Sequence, residues 1–177
     1  MTTIIGGSSP SVTFPDSTVQ DTSAIVGGKV PYANLPAGSV LQVVSVTYTT
    51  QATSASNTFA DTGLTASITP KFSTSKILVF VDCAGCNKNG NNTYLQLRLV
   101  RNSTIISQFE DISGYTASTT FNAIGSVSTN YLDSPVTTSA TTYKVQIANG
   151  NNVGIVAINN FIGVSSSSTI TLMEIAQ

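Results

Sequence analysis

Residues 94–100 read Tyr-Leu-Gln-Leu-Arg-Leu-Val, and this stretch decides the fold class. Its apolar and polar side chains alternate, so Leu95, Leu97 and Leu99 share one face while Gln96 and Arg98 share the other. A period of two residues is typical of a β-strand that has one buried and one exposed face. The stretch therefore predicts a half-buried strand.

The same alternation recurs further along the chain, where Tyr143, Val145 and Ile147 are separated by polar residues. Residues 77–81, Ile-Leu-Val-Phe-Val, are apolar without alternation, which predicts a strand covered on both faces. Further strands are predicted near residues 40–49, 57–61, 64–69, 104–109, 117–131, 153–158 and 168–175. Turn signals separate them, among them Thr62-Gly63, Asn87–Gly90, Arg101–Ser103, Ser113-Gly114 and Asn149-Gly150. Together they predict an all-β protein, an antiparallel jelly-roll-like β-sandwich with an extended N-terminal arm.

The arm is predicted to span residues 1–36, and the β-sandwich residues 37–177. The first range is broken by glycine and proline, and its apolar side chains are too scattered to form a core of their own. A disordered tail without a role is one interpretation. The apolar residues favour another, an arm that docks on a second protein through Ile4, Ile5, Val12, Phe14, Val19, Ile25 and Val26.

The last two predicted strands carry more apolar side chains than one buried face can use. In residues 169–175, Ile170 and Leu172 alternate with Met173 and Ile175, so both faces are apolar. We expect one face to pack in the core and the other against a second subunit. The predicted interface residues are Val153, Ile155, Phe161, Leu172, Met173 and Ile175. A homotrimer is favoured, by analogy with other jelly rolls.

Composition excludes several classes of function. The 177 residues include no His and no Trp, and only 8% are charged, about a third of the usual share. Ser and Thr together number 50. The lack of His rules out a Ser-His-Asp system and a His-ligated metal. A net charge of −1 offers no attraction to nucleic acid, and no apolar run approaches the roughly 20 residues that span a membrane. We expect no cofactor, no nucleic acid, no membrane and no enzymatic activity.

Phe14–Ser23, Phe-Pro-Asp-Ser-Thr-Val-Gln-Asp-Thr-Ser, resembles a linker motif found in many bacteriophage tail-fibre proteins. The body is similar to small β-rich phage virion proteins, through residues 35–43, 73–79, 131–135, 141–146 and 168–175. The resemblance implies a trimeric jelly roll on the virion surface, made in the host bacterial cytoplasm, with no catalytic residues. The partner of the arm would be the major capsid protein or, alternatively, tail proteins. The chain has no long shaft, which favours capsid decoration over a short tail fibre.

Cys83-Ala-Gly-Cys86 is the most prominent candidate for chemistry. A structural zinc site needs four ligands, and this chain has one cysteine pair and no His. A thioredoxin-like redox pair opens a helix, whereas this pair is predicted to end a strand and enter a loop. Two small, partly buried thiols, or a local disulfide formed after cell lysis, are the remaining interpretations.

Asparagine-rich loops suggest a possible host-glycan site. Amides that can donate and accept hydrogen bonds cluster at Asn89, Asn91, Asn92, Asn151 and Asn152, beside Tyr94. Asparagine is equally common in tight turns. A glycan site would belong to the alternative function, a receptor-binding tail fibre. Asp133 precedes Ser-Pro and is predicted to form a turn, and Arg98 and Arg101 are predicted to be exposed edge charges.

Overall fold

The computed structural model describes residues 11–13, 19–21, 30–160 and 166–177. A 3-10 turn occupies Tyr32–Asn34. The strands are β1 (Ser11–Thr13), β2 (Val19–Asp21), β3 (Val40–Tyr48), β4 (Ala52–Ser54), β5 (Ala60–Ile68), β6 (Lys76–Asn89), β7 (Thr93–Arg101), β8 (Thr104–Thr116), β9 (Phe121–Asp133), β10 (Thr141–Asn149), β11 (Ile155–Ile158) and β12 (Ser168–Ile175). No α-helix occurs in these ranges, which confirms the all-β prediction.

Ten of these strands form two antiparallel sheets that pack as a sandwich. The smaller sheet has the order β5-β10-β7-β8. In the larger sheet β9 and β12 flank β6 on opposite sides. Asp82 of β6, for example, pairs with Ser128 of β9 and with Thr169 of β12. β11 pairs with the C-terminal part of β6, on the same side as β12. β3 pairs with β12 and β4 pairs with β11, so β3 and β4 lie farthest from β9.

The core lies between the sheets and consists of the inward half of each alternating strand. Leu95, Leu97 and Leu99 of β7 are fully buried, as predicted, and they face residues such as Val79 and Leu172 of the larger sheet. Residues 77–81 differ from the prediction. Ile77, Val79 and Val81 are buried, but Leu78 is only half-buried and Phe80 is exposed. Within one subunit, this strand is therefore covered on one face only.

Two predicted interruptions are β-bulges inside long strands. Thr62-Gly63 was expected to be a turn, but β5 continues through it, and its register with β10 shifts at this point. Gly63 has φ +92°, a conformation that glycine adopts without steric cost. The Cys83–Cys86 segment likewise does not enter a loop. β6 runs through it to Asn89, with Gly85 at φ +59°.

β1 and β2 pair with each other in a separate two-stranded antiparallel sheet, with Val12 opposite Gln20 and Thr13 opposite Val19. The sequence predicted an extended arm, and it gave no indication of this pairing. Of the predicted docking residues, Val12 and Val19 lie in the hairpin. Ile4, Ile5, Phe14, Ile25 and Val26 lie outside the described residues. The division at residue 36 stays a prediction.

Candidate functional site

The outer face of the larger sheet carries a row of apolar side chains that crosses four of its strands, β3, β12, β6 and β9. Met173 of β12 lies opposite Val43 of β3 on one side and Leu78 of β6 on the other, and Leu78 lies opposite Leu132 of β9. Neighbouring outward residues extend this row. We call the set the apolar stripe; it consists of Val40, Val43, Leu78, Phe80, Leu132, Met173 and Ile175.

Much of the apolar stripe is exposed in a single subunit. Val43 is 54% exposed, Leu132 51% and Phe80 42%, and Leu78, Met173 and Ile175 are half-buried. Single exposed apolar residues are ordinary on a protein surface, but a contiguous apolar patch marks an interaction site. Because the register aligns these side chains across neighbouring strands, they form one patch.

The rest of this face is polar but almost uncharged. Beyond the stripe, Ser45, Thr171 and Asn130 form the next outward positions, followed by Thr47, Thr169 and Ser128. Of the charged residues in β3, β6, β9 and β12, only Lys76 and Asp82 are partly exposed, since Lys88, Asp133 and Glu174 are buried. The surface therefore has an apolar stripe near one end of β6 and a nearly uncharged polar region beside it, and low charge is typical of the core of protein interfaces.

The outer face of the smaller sheet is different, because it carries an ion pair and a further charged side chain, Arg98. Lys144 Nζ lies 2.8 Å from Asp61 Oδ2, and Gln146 Nε2 donates to Asp61 Oδ1 at 2.6 Å. The Arg98 guanidinium lies 4.0 Å from the centre of the Phe59 ring. These contacts lower the pKa of Asp61, chiefly through the hydrogen bond from Lys144. Arg98 lies on β7, which is an inner strand of this sheet, so the prediction that it is an edge charge was wrong. The ion pair and Arg98 make this face suited to contact with solvent.

The far end of the larger sheet also exposes apolar groups. Ile155 of β11 lies opposite Asn89, which lies opposite Phe121 of β9, and all three are exposed. Next to them is a cavity of about 250 Å³ lined by Gly85, Cys86, Asn87, Phe121, Ala123, Gly125 and Asn160. The apolar stripe and this cavity lie near opposite ends of β6.

The predicted interface residues fall into five groups. Met173 and Ile175 belong to the apolar stripe, and Ile155 lies at the far end of the same sheet. Val153 is exposed in the β10–β11 turn. The prediction for Leu172 was wrong, because this side chain is fully buried between the two sheets and cannot reach a second subunit. Phe161 lies outside the described residues. The sequence missed Val40, Val43, Leu78, Phe80 and Leu132.

Four of the predicted glycan residues meet at one end of the sandwich. Asn91 and Asn92 in the β6–β7 turn lie near Asn151 and Asn152 in the β10–β11 turn, and Asn151 Nδ2 donates to the Asn92 carbonyl at 2.7 Å. Tyr94 is half-buried and packs edge-on against Tyr115, with ring centres 6.2 Å apart. Asn89 is separate, since it lies in β6 between Ile155 and Phe121.

The two thiols are buried and free. Burial raises the pKa of Cys83 above its ordinary range and raises the pKa of Cys86 to about 12. Cys86 Sγ donates to the Cys83 carbonyl at 3.1 Å. Nucleophilic and metal-binding cysteines act as thiolates, which this setting disfavours. Within the described ranges, no group of three or more Cys, Asp, Glu or His residues is placed to hold a metal ion.

Asp133 is a buried hub of hydrogen bonds. Arg101 Nη1 donates to both of its carboxylate oxygens at 2.8 Å, and the Tyr143 hydroxyl donates to Oδ2 at 2.7 Å. Among the described residues no backbone amide donates to the Asp133 carboxylate, so its predicted role as a turn former is wrong. Arg101 binds a carboxylate of its own subunit. Burial and the bond to Asp133 raise the pKa of Tyr143.

No helix in the described part of the chain is long and apolar enough to cross a membrane.

Comparison with known proteins gives a viral capsid protein as a structural neighbour. No protein-family model matches the chain, and no curated protein matches it. Among solved structures, the VP2 subviral particle of infectious bursal disease virus matches with a TM-score of 0.42 and 14% sequence identity. The match covers 76% of this chain and 39% of that chain, so this chain spans well under half the length of its neighbour.

Proposed function

We propose that the protein is a non-enzymatic structural subunit of a bacteriophage particle and assembles as a homotrimer through the outer face of its larger sheet. The apolar stripe is the observation that carries this proposal. The assignment to a virion is supported by the sequence resemblance of residues 14–23 and of the body to phage virion proteins. The favoured place is the capsid surface, as a decoration protein.

A second copy of the chain is the occupant that suits this face. A cyclic trimer is built from heterologous contacts, in which two different parts of the surface meet. The stripe runs from Val43 on the β3 side to Leu132 on the β9 side, so both halves of the face are apolar. The β3–β12 half of one subunit can thus pack on the β6–β9 half of the next.

Energetics agree with this arrangement. Full burial of a large apolar side chain contributes about 1.5–3 kcal/mol, so each half-exposed member of the stripe gains about 1 kcal/mol when a neighbour covers it. The surrounding Ser, Thr and Asn side chains give no like-charge repulsion between identical copies. A charged face, such as that of the smaller sheet, would have to lose the hydration of its ion pairs.

Acidic substitutions test the face. Leu132→Asp and Phe80→Asp each place a carboxylate where the proposed interface is dry, so we expect both variants to elute from size-exclusion chromatography as monomers. Ile105→Asp is the matched control, because Ile105 is 54% exposed on β8 of the other sheet. If Leu132→Asp and Phe80→Asp keep the wild-type elution volume, a different surface joins the subunits.

The number of copies in each particle tests capsid decoration against the alternative, a short tail fibre or receptor-binding protein. A protein that decorates the shell is present in hundreds of copies, whereas a tail fibre is present in a few dozen or fewer. Quantitative mass spectrometry of purified particles, scaled to the major capsid protein, measures this ratio. A count in the tail-fibre range would contradict decoration and favour the alternative.

The arm is the proposed anchor to the shell. We expect a variant that lacks residues 1–29 to fold, because both sheets of the body lie within residues 40–175. It should no longer bind particles in co-sedimentation, since the apolar residues Ile4, Ile5, Phe14, Ile25 and Val26 are gone. Normal binding by this variant would show that the body, and not the arm, holds the shell.

A further inference from the structure

Three turns and one connecting segment meet at one end of the sandwich and are joined by hydrogen bonds. The β6–β7 turn contacts the β8–β9 turn through Gly90 N to Thr120 O at 2.7 Å and Asn92 N to Thr116 O at 2.9 Å. The β4–β5 connection contacts the β10–β11 turn through Asn57 N to Asn152 Oδ1 at 2.5 Å. We call this surface the loop platform: Asn57, Asn91, Asn92, Tyr115, Asn151 and Asn152.

A buried lysine supports the loop platform from beneath. Lys88 is fully buried, and its ammonium group donates to the Gly90 carbonyl at 2.9 Å and also to the Thr116 hydroxyl and the Thr119 carbonyl. Among the described residues no carboxylate forms an ion pair with it. Its three donors are therefore used to hold two turns together, which orders the surface above them.

The exposed asparagines fall into two kinds. Asn92 and Asn152 have φ of +53° and +55°, so their presence is explained by the left-handed turn conformation that asparagine tolerates. Asn91 and Asn151 do not have this conformation. A left-handed conformation therefore does not account for them, and each uses only one end of its amide within the protein.

Internal hydrogen bonds fix which end of each amide points away from the protein. Thr120 Oγ1 donates to Asn91 Oδ1 at 3.1 Å, Tyr115 OH donates to Asn92 Oδ1 at 3.2 Å, and the Asn152 Oδ1 atom is held by Asn57 N. Asn151 is reversed, since its Nδ2 group is the bonded end. Within the described chain, three amide donors and one amide acceptor thus remain without partners on one ordered surface.

An aromatic ring lies beside these amides. Tyr115 is 46% exposed and is held by its contact with Tyr94 and its bond to Asn92. Tyr94 itself packs so closely on Gly150 that a Cβ atom at Gly150 would overlap its ring. Tyr115 is therefore the ring that a ligand can reach.

From these contacts we infer that the loop platform binds a neutral saccharide. Ordered amide donors and an amide acceptor match sugar hydroxyl groups, and an exposed tyrosine ring matches the apolar face of a pyranose. Residues 55–58, 90–93, 116–120 and 149–154 contain no charged residue, so the platform offers no cation to a sulfated, phosphorylated or acidic sugar. This inference is independent of the proposed trimer, because the platform lies at the end of the sandwich and not on the outer sheet face.

Saccharide titration of the full chain tests the inference. The probes are glucose, galactose, mannose, N-acetylglucosamine and rhamnose at millimolar concentrations, with sialic acid and inorganic phosphate as anionic probes, and the side-chain amide signals are followed by NMR. We expect at least one neutral sugar to shift the signals of Asn91, Asn92 and Asn152. The inference is overturned if no neutral sugar shifts them, or if an anionic probe binds more tightly.

Variants separate recognition from folding and assembly. We expect Tyr115→Ala to weaken binding about tenfold and Asn151→Ala about fivefold, since one hydrogen bond contributes roughly that much. Gln108→Ala is the matched control, because Gln108 is an amide exposed on β8, outside both the loop platform and the proposed trimer face. All three variants should keep the wild-type sedimentation coefficient. If Gln108→Ala weakens binding as much as Asn151→Ala does, the saccharide does not bind at the loop platform.

Discussion

Single residues stabilise this protein through buried polar contacts as well as through the apolar core. Glu174 is fully buried at the end of β12, where its carboxylate accepts hydrogen bonds from Gln42 Nε2 at 2.6 Å and from the Lys71 amide at 2.6 Å. The Asp133 carboxylate accepts hydrogen bonds from Arg101 and Tyr143 in the same way. Buried carboxylates of this kind are stabilising only while each donor is present.

Asp133→Ala tests the largest of these contacts. The substitution leaves the Arg101 guanidinium and the Tyr143 hydroxyl without their acceptor, so we expect the free energy of unfolding to fall by about 2–4 kcal/mol. Tyr143→Phe removes one donor and leaves the ion pair, and we expect a loss of about 1 kcal/mol. Urea denaturation measures both. Equal losses for the two variants would mean that the ion pair with Arg101 contributes nothing.

Alkaline pH should destabilise the fold through the buried thiols and Tyr143. Their pKa values are raised in the folded state, chiefly by burial. The unfolded chain therefore loses protons first, at about pH 8.5 for cysteine and about pH 10 for tyrosine. Each group stabilises the fold fully below its unfolded pKa, and that contribution falls as pH rises, by about 1.4 kcal/mol per pH unit.

Denaturation curves collected from pH 7 to pH 11 check this dependence. The Cys83→Ala, Cys86→Ala double variant is the control, because it retains only the tyrosine phase. We expect its stability to stay level until about pH 10. A decline near pH 8.5 that persists in the double variant would assign the effect to other groups.

Elements of this fold could be predicted from the sequence where the information is local. Alternation within β7 and β10 is visible in each strand alone, so the inward residues of these two strands were predicted correctly. In β12 both faces are apolar, and the sequence did not show that the face with Leu172 is the inward one. The bulges were not predicted. A glycine that follows a Ser or Thr looks the same in a turn and in a bulge, and the partner strand decides between them. Gly63 and Gly114 were both taken for turns and lie within β5 and β8.

Gly63→Ala tests the bulge in β5. Gly63 has φ +92°, and a Cβ atom there would overlap the Tyr48 hydroxyl, so Tyr48 would have to move. Gly38→Ala is the matched control, since Gly38 has φ +87° with no atom within 4 Å of the added Cβ. We expect a loss of about 1 kcal/mol for Gly38→Ala from backbone strain alone and at least twice that for Gly63→Ala, by thermal or urea unfolding. Similar losses for the two variants would show that Tyr48 can move aside without lowering the free energy of unfolding.

At the scale of the whole molecule, the two outer faces of the sandwich have opposite chemistry. One carries ion pairs and suits water, while the other carries the apolar stripe and suits a neighbour. The sequence indicated an apolar outward face for β12, because both faces of this strand are apolar. It could not indicate the complete stripe, because Val43, Leu78 and Leu132 are aligned only by the register of strands far apart in the chain. The loop platform was partly predictable, since Asn-rich turns are local, but Tyr115 was brought to it by the tertiary fold.

The mass of the full chain in solution tests the central claim most directly. Sedimentation equilibrium at micromolar concentration should give three times the 18.3 kDa mass of the chain, because the apolar stripe of each subunit is covered by its neighbours. A mass of 18.3 kDa at that concentration would mean that the stripe stays open to water, and it would contradict the proposed assembly.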